Sequence, residues 1–225
     1  MKAVVLLSGG LDSSTCLAVA RKKYPASEIL AVNMYYGQRH DREMQSARKI
    51  ARYYGVELME LDLSMIFSKS DCSLLKNSNN AIPEGSYEEQ QEKSPGKPVS
   101  TYVPFRNGLM LSAAASIAVS IGTEEIYFGA HADDAAGNAY PDCSPEFTMA
   151  MDGAIKFGTD GQVKIIAPFI RKNKADIVYE GTMLGVPYEL TWSCYEGGDH
   201  PCGKCGTCID RKKAFEANGL TDPVQ

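Results

Sequence analysis

The chain has 225 residues, 44% hydrophobic and 23% charged, with a formal net charge of −5, which is ordinary for a globular domain with room for a substantial core and an appendage. No apolar run reaches the roughly 18 residues that a membrane-spanning helix requires, no signal-peptide pattern opens the chain, and the acidic balance without a long Lys/Arg run argues for a small substrate over nucleic acid. The expected location is cytoplasmic, and there seven cysteines imply metal or redox chemistry in preference to disulfides.

The first element, Lys2-Ala3-Val4-Val5-Leu6-Leu7, is a continuous apolar run and reads as a strand buried on both faces. It leads at once into Ser8-Gly9-Gly10-Leu11-Asp12-Ser13-Ser14-Thr15. The two glycines permit a tight turn and close backbone approach to a ligand. Asp12, Ser13 and Ser14 are candidate caps for a helix beginning around Leu11 to Ser14. Strand, turn and helix start together aim backbone N–H groups and a helix dipole at one point, a geometry suited to a phosphate. The dinucleotide fingerprint and the Walker A pattern are both missing.

Further along, Glu28–Tyr36 reads as a second strand, His40–Tyr54 as a helix stopped by Gly55, and Val56–Leu63 as a third strand. Ser64–Ser100 is polar and aperiodic, a long excursion or lid. Phe105–Ile121 reads as a buried helix, Glu124–Ala130 as a fourth strand, Pro145–Phe157 as a helix, Val163–Phe169 as a strand and Asn173–Leu184 as a helix. Alternating units of this kind predict an α/β fold with a doubly wound parallel sheet, whose ligands gather at the carboxyl ends of the strands.

After Leu190 the alternation stops. Cys194, Cys202, Cys205 and Cys208 form Cys-x7-Cys-x2-Cys-x2-Cys with glycines between them. Thiolates at this spacing can converge on one tetrahedral zinc. An iron–sulfur cluster is the competing assignment; the local, closed set of four ligands favours structural zinc. Lys204, Arg211, Lys212 and Lys213 lie close enough in sequence to offset the thiolate charge.

Ser8-Gly9-Gly10-Leu11-Asp12-Ser13 resembles the pyrophosphate loop of the N-type ATP pyrophosphatases. Tyr36-Gly37-Gln38-Arg39-His40, Tyr102-Val103-Pro104-Phe105-Arg106-Asn107, Ala139-Tyr140-Pro141-Asp142-Cys143 and Thr191-Trp192-Ser193-Cys194-Tyr195 resemble one family within that superfamily. It is the 7-cyano-7-deazaguanine synthases of queuosine biosynthesis, and the resemblance is weakest across 64–100. It implies an adenine nucleotide alpha-hydrolase-like domain over 1–190 and a zinc-binding segment over 191–225. It also implies a homodimer that converts 7-carboxy-7-deazaguanine and ammonia to the nitrile through adenylated acid and amide, using ATP and magnesium. Asp12, Arg106 and Lys174 are then the candidate catalytic residues, with Arg106 and Lys174 as phosphate-directed cations. Ser8, Gly9, Gly10, Leu11, Asp12, Ser13, Ser14, Gln38, Arg39 and His40 are the candidate nucleotide-binding residues. Asp133 or Asp134 would pair with the deazapurine, bind magnesium or cap a helix. A tRNA-thiolating enzyme with the same loop is the alternative. A zinc-dependent, non-catalytic nucleotide-binding regulator is a third reading, which release of AMP and pyrophosphate only on addition of the deazaguanine acid and ammonia would exclude.

Overall fold

A computed structural model describes residues 1–224. Five strands, β1 (Ala3–Leu6), β2 (Ile29–Tyr35), β3 (Glu57–Asp62), β4 (Glu125–Tyr127) and β5 (Lys164–Ile166), form one parallel sheet in the order β3-β2-β1-β4-β5. Each neighbouring pair is parallel, with Ala3 opposite both Ile29 and Glu125. The order reverses between β1 and β4, so the crevice beyond their carboxyl ends is the switch point at which such sheets bind ligands.

The side-chain period of two divides β1 between two cores. Val5 and Leu7 join α1 (Leu11–Lys23), α2 (Arg42–Tyr54) and later helices on one face, whereas Val4 packs with Leu30, Val32, Leu111 and Ile126 on the other. This second layer contains α4 (Arg106–Ser120) and α6 (Pro145–Gly158), which follow α3 (Tyr87–Lys93) and the short α5 (Ala132–Ala135). The first layer is completed by α7 (Lys174–Met183) and α8 (Gly206–Ala217), and Ala214 and Phe215 seat α8 in the main core. Gly55 ends α2 in the left-handed conformation (φ 65°), the stop expected from its position.

The segment 64–100 departs from the expectation of an aperiodic excursion. Phe67, Cys72, Leu74 and Leu75 bury a small core of their own against Tyr36 and Val103. Ser86 and Glu89 close a reciprocal capping box at the start of α3, with Ser86 N–H donating to Glu89 Oε2 at 2.8 Å. Antiparallel bridges join Leu75 to Gln38 and Glu84 to Cys205. Among the described residues no helix is long and apolar enough to cross a membrane.

Candidate active site and metal centre

At the turn after β1, Gly10 and not Asp12, Ser13 or Ser14 is the N-cap of α1, and no side chain caps the helix. Ser8 Oγ takes the Gly10 N–H at 3.3 Å and lies 2.9 Å from Ser13 Oγ, so the hydroxyls brace the loop rather than closing the helix end. Gly9 has φ 89°, and a Cβ there would lie 2.4 Å from both Glu43 O and Ala47 N. The loop therefore rests directly on the backbone of α2, a contact that only glycine permits. Its carbonyl accepts the Trp192 N–H at 3.0 Å, tying it to the chain that enters the cysteine segment.

The crevice between β1 and β4 holds a charged quartet. Asp12 Oδ2 is 3.4 Å from Lys174 Nζ and 3.7 Å from His131 Nε2, and His131 Nε2 is 3.3 Å from Asp134 Oδ2. Burial alone would raise the Asp12 carboxyl, but Lys174 and His131 outweigh it and hold the group well below the usual carboxylate range. Burial works against the His131 and Lys174 cations too; Asp134 and Asp12 keep His131 above its ordinary value, and Asp12 leads the acids that do the same for Lys174. Asp12 Oδ1 is buried without a hydrogen-bond partner. Asp133 accepts the Lys174 N–H at 2.7 Å, an N-terminal cap that fixes where the lysine stands.

One cavity joins the loop to this quartet. Ser8, Gly10, Asp12, Ser13, Gln38, Arg106 and Lys174 all line it, together with Asp134, Trp192 and Ser193. Arg106, at the first turn of α4, lays its guanidinium over the Tyr36 ring at 4.9 Å. The preceding Phe105 has φ 53°, a strained setting for a non-glycine residue at the point where the chain delivers Arg106. The remaining nucleotide-binding candidates face elsewhere. Leu11 and Ser14 are buried in the fold, and Gly9 backs onto α2. Arg39 braces the carbonyls of Ser78 and Asn80, and His40 packs on Gly197. Gln38 lines the cavity and turns its Oε1 back to accept the Tyr36 N–H.

Glu43 and Tyr87 also line the cavity and were not singled out from sequence, and Tyr195, which lines it too, was marked there only as part of the Thr191–Tyr195 motif. Burial pushes the Glu43 carboxyl from 4.5 to about 7, against the pull of Arg106. A carboxyl raised in this way favours folding most below about pH 4.5 and progressively less up to about pH 7. Glu43→Gln is therefore expected to be more stable than the unmodified chain by about 1–3 kcal/mol at pH 8, with the difference vanishing near pH 4. Urea melts at the two pH values check it, and equal differences at both would contradict the raised carboxyl.

The four cysteines converge. The sulfurs of Cys194, Cys202, Cys205 and Cys208 all lie within 4.8 Å of one another. One tetrahedral ion with bonds of about 2.3 Å sets its sulfurs about 3.8 Å apart, so the set fits a single metal. Cys194 Sγ accepts the Cys202 N–H at 3.3 Å and Cys202 Sγ the Cys205 N–H at 3.4 Å, the hydrogen bonding expected of thiolates. Arg211 does not serve this centre as a counter-charge. It is buried in a bidentate pair with Asp222 at 2.8 and 3.0 Å and also donates to Thr191 and Ser193. Lys204 pairs with Glu84.

Comparison with known proteins identifies the family. Residues 2–219 match the family described as Queuosine biosynthesis protein QueC. The chain is 44% identical to the 7-cyano-7-deazaguanine synthase of Archaeoglobus fulgidus, covering all of this chain and 90% of that protein. It is 45% identical to that of Thermoplasma acidophilum (100% and 91%) and 44% identical to that of Oceanobacillus iheyensis (100% and 97%). The U34-tRNA thiolase NcsA of Methanococcus maripaludis, solved with its [4Fe-4S] cluster, superposes with a TM-score of 0.52 at 18% identity over 84% of this chain and 58% of that one. NMN synthetase from Francisella tularensis gives 0.50 at 15% identity over 98% and 78%. These two likenesses show the shared fold, and the sequence match across nearly the whole length shows that the chain belongs to the QueC family of queuosine biosynthesis proteins.

Proposed function

We propose that the chain is an ATP-dependent, nitrile-forming carbon–nitrogen ligase that converts 7-carboxy-7-deazaguanine and ammonia to 7-cyano-7-deazaguanine. The observation that carries this reading is the convergence of the Ser8–Ser13 loop, Asp12, Arg106 and Lys174 on one cavity at the β1/β4 switch point, in a chain of this family. The loop N–H groups and the α1 dipole bind the pyrophosphate that leaves ATP. Lys174 and Arg106 orient the nucleotide and stabilise charge that develops at the α-phosphate during attack by the acid, and later by the amide. Each adenylation makes a poor oxygen leaving group into a good one, first for displacement by ammonia and then for loss of AMP to give the nitrile. Asp12, with its unpartnered buried Oδ1, and Asp134 would hold magnesium, which when bound neutralises the pyrophosphate.

Residues 1–190 supply this chemistry and 191–225 the metal centre. Zinc is the assigned metal, supported by the closeness of the four sulfurs, since a four-iron cluster would spread its cysteines more widely than one ion does. A homodimer is what the family resemblance implies. Mass spectrometry of the protein with ATP, ammonium and 7-carboxy-7-deazaguanine is expected to show the nitrile, AMP and pyrophosphate appearing together. ADP in place of AMP, or no nitrile, would refute the proposal, and a brown chromophore after anaerobic purification would refute zinc.

A further inference from the structure

We infer that Tyr87 is a positioning residue for the acceptor acid, a roof over the cavity held shut by the four-cysteine loop; this rests on the synthase reading above. Tyr87 lines both the main cavity and an adjoining groove of about 810 Å³. Lys174 lies on the same two walls, whereas Ser8, Gly10 and Ser13 belong to the main cavity alone. Tyr87 therefore stands with Lys174 on the wall shared with the groove, which those loop residues do not line, and there an acceptor would meet the α-phosphate. Its ring offers a planar aromatic wall to a planar bicyclic acid.

Three tethers hold that ring, and all run to the cysteine loop. The Tyr87 hydroxyl lies 2.6 Å from the hydroxyl of Tyr195, the residue after Cys194. Beneath it is Gly206, between Cys205 and Cys208, where a Cβ would come within 2.8 Å of Tyr87 Cε1. Just upstream, Glu84 bridges Cys205 and Gly85 N–H donates to Lys204 O at 3.0 Å. Tyr140 supplies a further edge contact, with ring centroids 5.4 Å apart at 85°. A metal that gathers the four sulfurs fixes the positions of Tyr195, Lys204, Cys205 and Gly206, and so fixes the roof. The aromatic that closes the acceptor end thus depends on a centre that takes no part in the chemistry.

Two variants and one chelation experiment test this. Gly206→Ala keeps all four thiolates but drives a methyl into the Tyr87 ring, and Tyr87→Phe keeps the ring but deletes its bond to Tyr195. Gly206→Ala is expected to bind metal at the normal stoichiometry and to raise KM for 7-carboxy-7-deazaguanine roughly tenfold, within the roughly hundredfold that a misplacement of about an ångström can cost. KM for ATP stays within about twofold, because the phosphate loop is untouched. Tyr87→Phe shifts the same constant in the same direction by less. Stripping the metal from the unmodified protein is expected to speed trypsin cleavage after the exposed Lys93, at the end of α3, before the core unfolds. An unmoved acceptor KM in both variants, equal changes in both KM values, or no gain in cleavage on chelation would overturn the roof while leaving nitrile formation standing. A wild-type protein that makes no nitrile would overturn the synthase reading and the roof with it.

Discussion

Lys174→Met is expected to slow pyrophosphate release from ATP by about 10²–10³-fold, the cost of removing one group aimed at developing charge in a water-poor site. The lysine is only 7% exposed, its own N–H is capped by Asp133 at 2.7 Å, and its ammonium faces Asp12 at 3.4 Å. It is therefore placed by the fold before any ligand arrives, and methionine keeps the length and the packing but not the charge. The loss is expected mainly in kcat, since the interaction strengthens as charge accumulates at the α-phosphate. Stability falls as well. Breaking a fully buried ion pair costs about 3–5 kcal/mol, but Asp12 is a quarter exposed and keeps His131, so about 1–3 kcal/mol is expected here.

The pH dependence of that stability loss follows from the directions of the two shifts. Asp12 is held below its ordinary value, so its contribution is present above the unfolded carboxylate range and is lost as pH falls through the folded value. Lys174 is held above its ordinary value, so its contribution is present below the unfolded lysine range and is lost as pH rises through the folded value. Between about pH 5 and pH 9 neither of these two groups titrates. The stability gap between the two proteins widens there only as pH rises through the His131 range, because removing Lys174 favours the His131 cation in the variant. Single-turnover pyrophosphate release and urea melts across that range measure both effects. A rate within tenfold of the unmodified protein would remove Lys174 from the reacting end.

The strands were legible in the residues because a parallel sheet covered on both faces demands near-continuous apolar runs: β1 is one, and β2 is broken only by Asn33, which donates to Leu7 O. The loop after β1 was legible for a related reason: a glycine pair between a buried strand and a helix has few other uses. Which side chains face the cavity beyond that loop was not. Gln38 and Arg39 are neighbours after β2, yet Gln38 turns inward and Arg39 reaches out to Ser78 and Asn80, a choice made by the 64–100 segment packed beside them. That segment read as aperiodic because α3 is short and polar and buries chiefly Tyr87. Its one local signal was the Ser86-x-x-Glu89 capping box. Glu43 was hidden by resembling an ordinary first-turn helix acid, and only the close seat of α2 on Gly9 turns it into a cavity wall. Arg211 carried a charge that suggested the thiolates, but Asp222, eleven residues on, takes it instead.

Cys205→Ser is expected to lose most of its bound metal and to melt about 6–20 °C lower. A serine hydroxyl stays protonated and binds zinc weakly, so the four-ligand set becomes three. Structural zinc is worth about 10 kcal/mol or more in small units that are unfolded without it. Here the loss is smaller, because Ala214 and Phe215 keep α8 in the main core and the Arg211–Asp222 pair anchors the end of the chain independently of the metal. What loosens is the stretch from Trp192 to Cys208, whose own cluster contains only Ile82, Trp192 and the cysteines Cys194, Cys205 and Cys208 as buried members. A cost of about 3–5 kcal/mol at about 2–4 °C per kcal/mol gives the expected drop in melting temperature. Metal analysis and calorimetry measure the two losses, and removing metal from the unmodified protein is expected to bring its melting temperature down to that of the variant. Full metal occupancy in Cys205→Ser would take Cys205 out of the ligand set. Metal loss with an unchanged melting temperature would instead mean that the hydrogen bonds from Cys202 and Cys205 N–H hold the loop without the ion.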